Sequence, residues 1–256
     1  MSAPVVVGTF RFVRGALGAA FVFAASPALA EGEDNANGVN PAPSRLRSGF
    51  AALDRPHGMI EGGAGILTLP AAEVCNQRST GCKEGDLSFA AETWQLFRAN
   101  VRFAFGAGVV LGLVPTAHPP HDDPPGIERD TTRSYLTFEG TVRYYPIVLR
   151  DIEWWIGVTG GLVVVDDRFQ VITERDDRAL LGPRGVTIRT EGGSLGFATG
   201  VAYELAAHWS ATGTLRYAEW FLPSVPARDS FGDEASLTGA NEVLTVAFGI
   251  AYRLAL

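Results

Sequence analysis

The chain has 256 residues, 46% of them hydrophobic, with 30 glycines and a formal net charge of −7. This composition is too apolar for a wholly disordered protein, and the acidic balance argues against a nucleic-acid partner. The length is enough for one or two domains.

The first 30 residues have the features of a secretory signal peptide. Arg11 and Arg14 precede a short apolar run, and the small residues Ala28 and Ala30 stand at the spacing of a cleavage site. We expect cleavage after Ala30, which would change the net charge to −9; an uncleaved membrane anchor is the alternative. Residues 31–57 are polar and turn-rich, which predicts a flexible segment before a single domain at 58–256.

From Gly58 onward, large apolar residues alternate with small or polar ones, which is the period of a β-strand with two different faces. The closing stretch 243–256 shows this most clearly. The pattern predicts eight strands: Met59–Leu69, Trp94–Phe105, Val109–Val114, Arg133–Ile147, Glu153–Val165, Thr187–Leu205, Trp209–Phe221 and 243–256.

The connections between these strands alternate in length. Four are long (70–93, 115–132, 166–186 and 222–240) and three are short (106–108, 148–151 and 206–208). In an up-and-down meander all long loops then lie on one rim, which is the asymmetry of a transmembrane β-barrel. The count of eight depends on a turn at 106–108, where Gly106 or Gly108 can adopt the left-handed conformation of a three-residue hairpin loop.

The only two cysteines, Cys75 and Cys82, bracket a polar stretch in the first long loop. Because an exported chain meets an oxidising compartment, we expect them to form a disulfide bond. Such a small loop would be stabilised by ~2–3 kcal/mol at most, so the bond would brace the loop locally.

The second face of several strands is polar, and it decides between two fold classes. A water-soluble β-sandwich or lipocalin-like barrel would turn that face outward and could bind an apolar ligand inside. A membrane barrel turns it inward and places its apolar face in lipid. The export signal and the loop asymmetry favour the membrane barrel. Aromatic residues near strand ends are then expected at the bilayer interfaces: Trp94, Tyr144, Tyr145, Trp154, Trp155, Trp209, Tyr217, Trp220 and Phe221.

Residues 58–256 resemble the eight-stranded outer-membrane β-barrel proteins of Gram-negative bacteria, the OmpA-like and OmpX-like group. Gly249, Tyr252 and Leu254 match the C-terminal assembly signal of that group, while Ala247 and the terminal Leu256 depart from it. The resemblance implies an outer-membrane location, contact with outer-membrane lipids and lipopolysaccharide, and recognition by the barrel-assembly machinery.

The interior of an eight-stranded barrel is narrow and is about filled by side chains. Charges enclosed there need partners. We therefore expect a buried polar network and no open pore, with a narrow ion path as the alternative. The residues predicted to form this network are Arg98, Asn100, Arg102, Glu139, Arg143 and Arg216.

Function is expected in the long loops, because binding sites commonly lie on loops carried by a rigid scaffold. We predict a structural or surface-interaction role, with no cofactor and no enzymatic activity. Two alternatives remain: a zinc or copper site at His118 and His121, and a lipid A-modifying enzyme that uses His208 and Ser210. For the His118/His121 segment, a solvated loop is favoured over a metal site. The enzyme alternative is disfavoured because Ser210 is expected to point inward beside a periplasmic turn.

Overall fold

The computed structural model describes residues 56–75, 82–114, 127–174, 185–229 and 233–255. Within them lie eight β-strands: β1 (His57–Cys75), β2 (Cys82–Arg98), β3 (Phe103–Val114), β4 (Ile127–Val148), β5 (Ile152–Glu174), β6 (Gly185–Ala206), β7 (Trp209–Phe221) and β8 (Ala240–Ala255). In the described part of the chain, no helix is long and apolar enough to cross a membrane. The predicted signal peptide, most of the segment 31–57 and the His118/His121 loop lie outside the described residues.

The strands form one closed antiparallel barrel in which each strand pairs with its neighbours in sequence and β1 pairs with β8. The predicted fold class, an all-β, eight-stranded, up-and-down barrel, is confirmed. Closure also satisfies a strict requirement of a bilayer, in which every backbone N–H and C=O must be paired within the protein.

The predicted turn at 106–108 is wrong, because these residues lie in the middle of β3. Among the described residues only Gly85 and Gly239 have positive φ, so Gly106 and Gly108 serve another purpose. A Cβ atom on Gly108 would collide with the indole ring of Trp94, which this glycine allows to pack inside the barrel.

The true turn between β2 and β3 is residues 99–102. There the side-chain oxygen of Asn100 accepts hydrogen bonds from the backbone N–H groups of Arg102 and Phe103, at 2.8 and 3.0 Å. An asparagine that bonds the backbone two residues on is a common way to form a turn. The predicted strand count is therefore right, although the predicted turn lies too late in the sequence.

Most of the predicted first long loop, 70–93, is strand: β1 continues to Cys75 and β2 begins at Cys82. The β3–β4 and β5–β6 connections are also shorter than predicted, because β4, β5 and β6 extend beyond their predicted ends, whereas the β7–β8 connection at 222–239 is close to its prediction. The outer parts of β4, β5 and β6, 127–135, 165–174 and 185–192, form a three-stranded sheet that we call the platform. The alternation of long and short connections nevertheless holds, with short turns at 99–102, 149–151 and 207–208.

The outward faces of the strands carry large apolar side chains that are open to the surroundings. Phe248 is 72% exposed, Phe197 67% and Leu162 64%, and each is followed or preceded by an inward residue of lower exposure. A water-soluble barrel would bury these side chains, so the soluble alternatives are excluded. The aromatic prediction is only partly right: Tyr144, Trp154, Trp209, Tyr217 and Phe221 face outward, whereas Trp94, Tyr145, Trp155 and Trp220 are buried inside.

Candidate functional site: the barrel interior and the platform

At the end of the barrel near the short turns, Arg98 is held inside by three kinds of contact. Its guanidinium donates to the Glu153 carboxylate at 2.6 Å and to the carbonyl oxygen of Val101 at 2.6 Å. The same group lies over the ring of Tyr145, 3.6 Å from the ring centroid. Both charged side chains are almost fully buried, so each neutralises a charge that water cannot reach.

The middle of the barrel contains two further buried ion pairs. Arg143 donates to both carboxylate oxygens of Glu61 at 2.8 Å, and its guanidinium lies 3.9 Å from the ring centroid of Trp155. Arg216 donates to Glu139 at 2.9 Å. These pairs join strands on different sides of the barrel and brace the wall across the interior.

The structure places four of the six predicted network residues inside: Arg98, Glu139, Arg143 and Arg216. The prediction is wrong for the other two. Asn100 and Arg102 are exposed in the β2–β3 turn, because the strand ends at Arg98 and the inward–outward alternation ends with it. Arg102 instead donates to the carbonyl oxygens of residues 145 and 146, at 2.9 and 2.6 Å, and ties its turn to β4.

Sequence reasoning missed the acidic partners of these arginines. Glu61 lies in a glycine-rich segment with weak alternation, and Glu153 stands next to a turn. Both stand at positions whose side chains point inward by the two-residue alternation of their strands. This alternation is the one sequence signal that could have identified them. Which arginine each would meet depends on pairing across the barrel and is not visible in sequence.

The outer half of the interior is apolar rather than polar. A buried cluster there includes the ring pair Tyr135 and Trp220, whose centroids are 5.4 Å apart. Leucine and valine side chains from neighbouring parts of the wall complete it: Leu67, Leu69, Val74, Val163, Val165 and Val243. The lower half of the interior thus combines ion pairs with buried aromatic and aliphatic side chains such as Trp94 and Met59, whereas the apolar cluster dominates the upper half.

A second charged group lies beside this cluster, between the platform and β2. Arg133 donates to Asp167 at 2.9 Å and to Asp86 at 3.0 Å, and the Tyr135 hydroxyl donates to Asp86 at 2.6 Å. Burial alone would lower the pKa of Arg133, but these carboxylates raise it above its ordinary value. The guanidinium therefore stays charged and joins β2, β4 and β5.

Residues 235–237 of the long loop between β7 and β8 pack inward against the platform and the apolar cluster. Ser236 donates to the Asp167 carboxylate from both its backbone N–H and its hydroxyl, each at 2.8 Å. Leu237 is fully buried in the apolar cluster, and Ala235 packs against Phe169 and Ile188 of the platform. The loop is thus fixed by hydrogen bonds and by hydrophobic burial together.

The outward face of the platform is polar and of mixed charge. Arg189 of β6 forms a two-point contact with Asp166 of β5, at 2.8 and 3.2 Å. β7 ends at Phe221, which pairs with Gly193 of β6. Residues 185–192 of β6 therefore have no pairing partner in β7. The outer part of β6 is therefore a sheet edge among the described residues.

The three residues of the predicted assembly signal lie on β8, the strand that closes the barrel. A Cβ atom at Gly249 would collide with the backbone of β1, so this glycine permits close approach at the closing seam. Tyr252 packs against Trp209, 4.7 Å between ring centroids, and Leu254 pairs with Gly58. Recognition by an assembly machinery stays a prediction.

The other predicted site residues fall as follows. The backbones of Cys75 and Cys82 face each other in the β1–β2 register, as a disulfide would require, and the bond itself stays a prediction.

Ser210 is buried inside the barrel, whereas His208 is exposed in the β6–β7 turn beside Tyr252. A nucleophile needs its base within hydrogen-bonding reach, so this placement does not support the His–Ser alternative. Among the described residues, no group of three or more His, Cys, Asp or Glu could hold a metal ion.

A closed barrel with an apolar exterior and buried ion pairs inside is suited to a bilayer, not to water. The protein has the architecture of a small outer-membrane β-barrel. By the usual asymmetry of such barrels, the short turns face the periplasm, and the platform with the long loops faces the exterior of the cell.

Comparisons with known proteins find solved structures that are similar to this chain at low sequence identity. No protein-family model and no curated protein sequence matches the chain. Similar solved structures include a major outer membrane protein of Thermus thermophilus, at 16% identity and a TM-score of 0.48, covering 78% of this chain and 99% of that one. Neisserial surface protein A has 12% identity and a TM-score of 0.45, covering 77% and 96%. Ail of Yersinia pestis has 10% identity and a TM-score of 0.43, covering 79% and 100%.

Proposed function

We propose that this protein is a non-enzymatic outer-membrane barrel without an open pore, whose role is to hold a rigid binding platform at the cell surface. The arrangement of the β7–β8 loop is the observation that carries the proposal. Ser236 and Leu237 fix this loop against Asp167 and the apolar cluster, and the platform strands support it from one side. A surface that is ordered before binding loses less entropy when a partner arrives.

The interior supports the absence of a pore. Ion pairs span it at two levels, Arg98–Glu153 near the periplasm and Arg143–Glu61 in the middle, and the apolar cluster fills the outer half. Eight strands leave a lumen just wide enough for such side chains. Purified protein in planar lipid bilayers should therefore give no steady conductance. Large, steady conductance would overturn this part of the proposal.

The platform offers two features to a partner. Within the described part of the chain, its β6 edge presents unpaired backbone groups, which can accept an added strand. Its outward face presents the Arg189–Asp166 pair. Charges at the rim of a binding surface mainly affect association rates and partner choice. We therefore expect an extracellular protein or glycan as the partner.

Whole-cell binding to a panel of immobilised extracellular-matrix proteins and glycans tests the surface role. Arg189→Glu should weaken binding, because it reverses a charge on the platform. Arg150→Glu is the matched control, because Arg150 lies in the periplasmic β4–β5 turn and is also solvent-exposed. Equal binding by both variants, or no binding by the parent protein to any probe, would contradict the proposal.

Lipid A from cells that express the protein should keep an unchanged mass, and a changed mass would contradict the non-enzymatic assignment.

A further inference from the structure

An apolar groove of about 560 Å³ lies on the outer surface of the barrel, across β4 to β7. This volume is within the ~300–1,000 Å³ range of small-molecule sites in proteins. Side chains from all four strands form its walls: Tyr144, Ile156, Phe197, Leu215 and Tyr217. The groove is therefore a feature of the lipid-facing surface and is separate from the interior and the platform.

The groove exists because one small residue stands in a row of large ones. The strand registers align Tyr144, Ile156, Thr199 and Leu215 across the four strands, and Thr199 is the short member of the row. Its hydroxyl is occupied, since it accepts from the indole N–H of Trp154 and donates to the carbonyl oxygen of residue 155, both at 2.8 Å. The floor of the groove thus offers a ligand no free hydroxyl and suits hydrocarbon.

The position of the groove determines which lipid can reach it. Ile156 stands six residues after Arg150 in the β4–β5 turn. At ~3.3 Å per residue and a tilt of about 45°, six residues rise roughly 14 Å, close to half of a ~30 Å hydrocarbon core. The Thr199 row of the groove therefore lies near the middle of the bilayer, the depth at which the acyl chains of a phospholipid anchored at the periplasmic surface end.

Arg150 lies in the β4–β5 turn, where the phosphate of a lipid would lie if its acyl chain ended in the groove. The Arg150 side chain is 77% exposed, and the acidic group that faces it, Asp151, is at 3.8 Å. Guanidinium groups bind phosphate well. Between Arg150 and the groove the outward surface is continuously apolar, through Ile147, Ile152 and Trp154.

We propose that the groove and Arg150 together form a site for one phospholipid of the periplasmic leaflet. Its phosphate contacts Arg150, and the end of one acyl chain fills the space over Thr199. The groove is continuous with the lipid-facing belt, and a concave surface of this size suits a single flexible chain better than the convex wall of a second barrel. This site is independent of the proposed surface role.

Native mass spectrometry of protein released from phosphatidylglycerol nanodiscs tests the proposal. The parent protein should retain one phospholipid. Thr199→Phe fills the groove and should abolish retention, because the acyl chain then loses its close packing contacts with the groove walls, and packing is what distinguishes the groove from the equally apolar bilayer. Arg150→Gln should weaken retention in the same direction. Two controls should keep the lipid: Thr199→Val, which removes the hydroxyl without filling the groove, and Ala107→Phe, which adds the same ring on an exposed, lipid-facing position of β3.

Each variant is first checked for folding by its heat-shifted migration on a gel, so that a misfolded barrel is not scored. Equal lipid retention by Thr199→Phe and Ala107→Phe would overturn the proposal. Retention of lipopolysaccharide in place of phospholipid from mixed nanodiscs would overturn it as well. So would a dimer of this chain that is lost with Thr199→Phe.

Discussion

The buried pair Arg216–Glu139 allows a sharp test of how the barrel interior contributes to stability. The two groups are 2.9 Å apart, with side chains 5% and 1% exposed. In Glu139→Gln, the amide oxygen can still accept from Ser194, which now donates to Glu139 at 2.9 Å. Arg216, however, would lose its ion-pair partner and keep the Thr245 hydroxyl at 3.5 Å, the Trp94 ring with its centroid 5.7 Å away, and the charge of Glu92 nearby. Removing the partner of a buried ion pair in this way costs about 3–5 kcal/mol.

Removing both charges should cost less than removing one. In the double variant Glu139→Gln/Arg216→Met, no uncompensated charge remains, and replacing a buried pair by neutral groups is often close to neutral in free energy. The exposed pair Arg189–Asp166 supplies a matched control. Its side chains are 60% and 28% exposed, so Arg189→Met should change the free energy of unfolding by less than about 1 kcal/mol.

Urea unfolding in lipid vesicles, followed by tryptophan fluorescence, measures these free energies. The expected order of stability is the parent protein, then Arg189→Met, then the double variant, with Glu139→Gln least stable. The reasoning fails if Glu139→Gln costs less than about 1 kcal/mol, or if the double variant is destabilised by more than the single one. Either result would mean that water reaches this part of the interior.

Three further predictions concern the loop, the β3 glycines and the cysteines. Leu237→Ala should cost about 2–3 kcal/mol of loop docking, so trypsin should cut the β7–β8 loop faster; an unchanged rate would mean that the loop is not held by this side chain. Gly108→Ala should lower the unfolding free energy because its Cβ would collide with a buried indole ring, whereas Gly62→Ala, which has open space around the new Cβ, should not; equal unfolding midpoints would contradict this. Reducing the disulfide expected between Cys75 and Cys82 should destabilise the barrel by ~2–3 kcal/mol at most; free thiols found by alkylation of the untreated protein would disprove the bond.

The β2–β3 hairpin illustrates how far sequence patterns lead and where they fail. The alternation Phe97 to Phe105 passes through the true turn without a visible break, because both flanking strands present aromatic residues to lipid. Glycine at 106 and 108 then gives a stronger turn signal than Asn100 does. Only the position of Trp94 inside the barrel shows that Gly108 is needed for space.

The tryptophans show a related limit. An amphipathic ring near a strand end fits the bilayer interface, but it also fits a narrow interior that contains arginine. Trp94 and Trp155 lie in the interior. The guanidinium of Arg143 is 5.7 Å from the ring centroid of Trp94 and 3.9 Å from that of Trp155. The direction in which such a ring points follows from strand phase, and a one-residue change in the assumed turn reverses that phase.

The sequence alone determined the class of this protein, because a two-residue period of apolar side chains, repeated between alternating long and short connections, is satisfied by a closed barrel in lipid. The inward direction of Arg98, Glu139, Arg143 and Arg216 follows from the same local period. The strand count came out right although it depended on a turn at 106–108 that the structure places at 99–102. Only the tertiary structure decided the partners. Arg143 meets Glu61 across 82 positions of sequence, and Asp167 meets Ser236 across 69. Such contacts depend on the closure and register of the whole barrel, which no local pattern encodes.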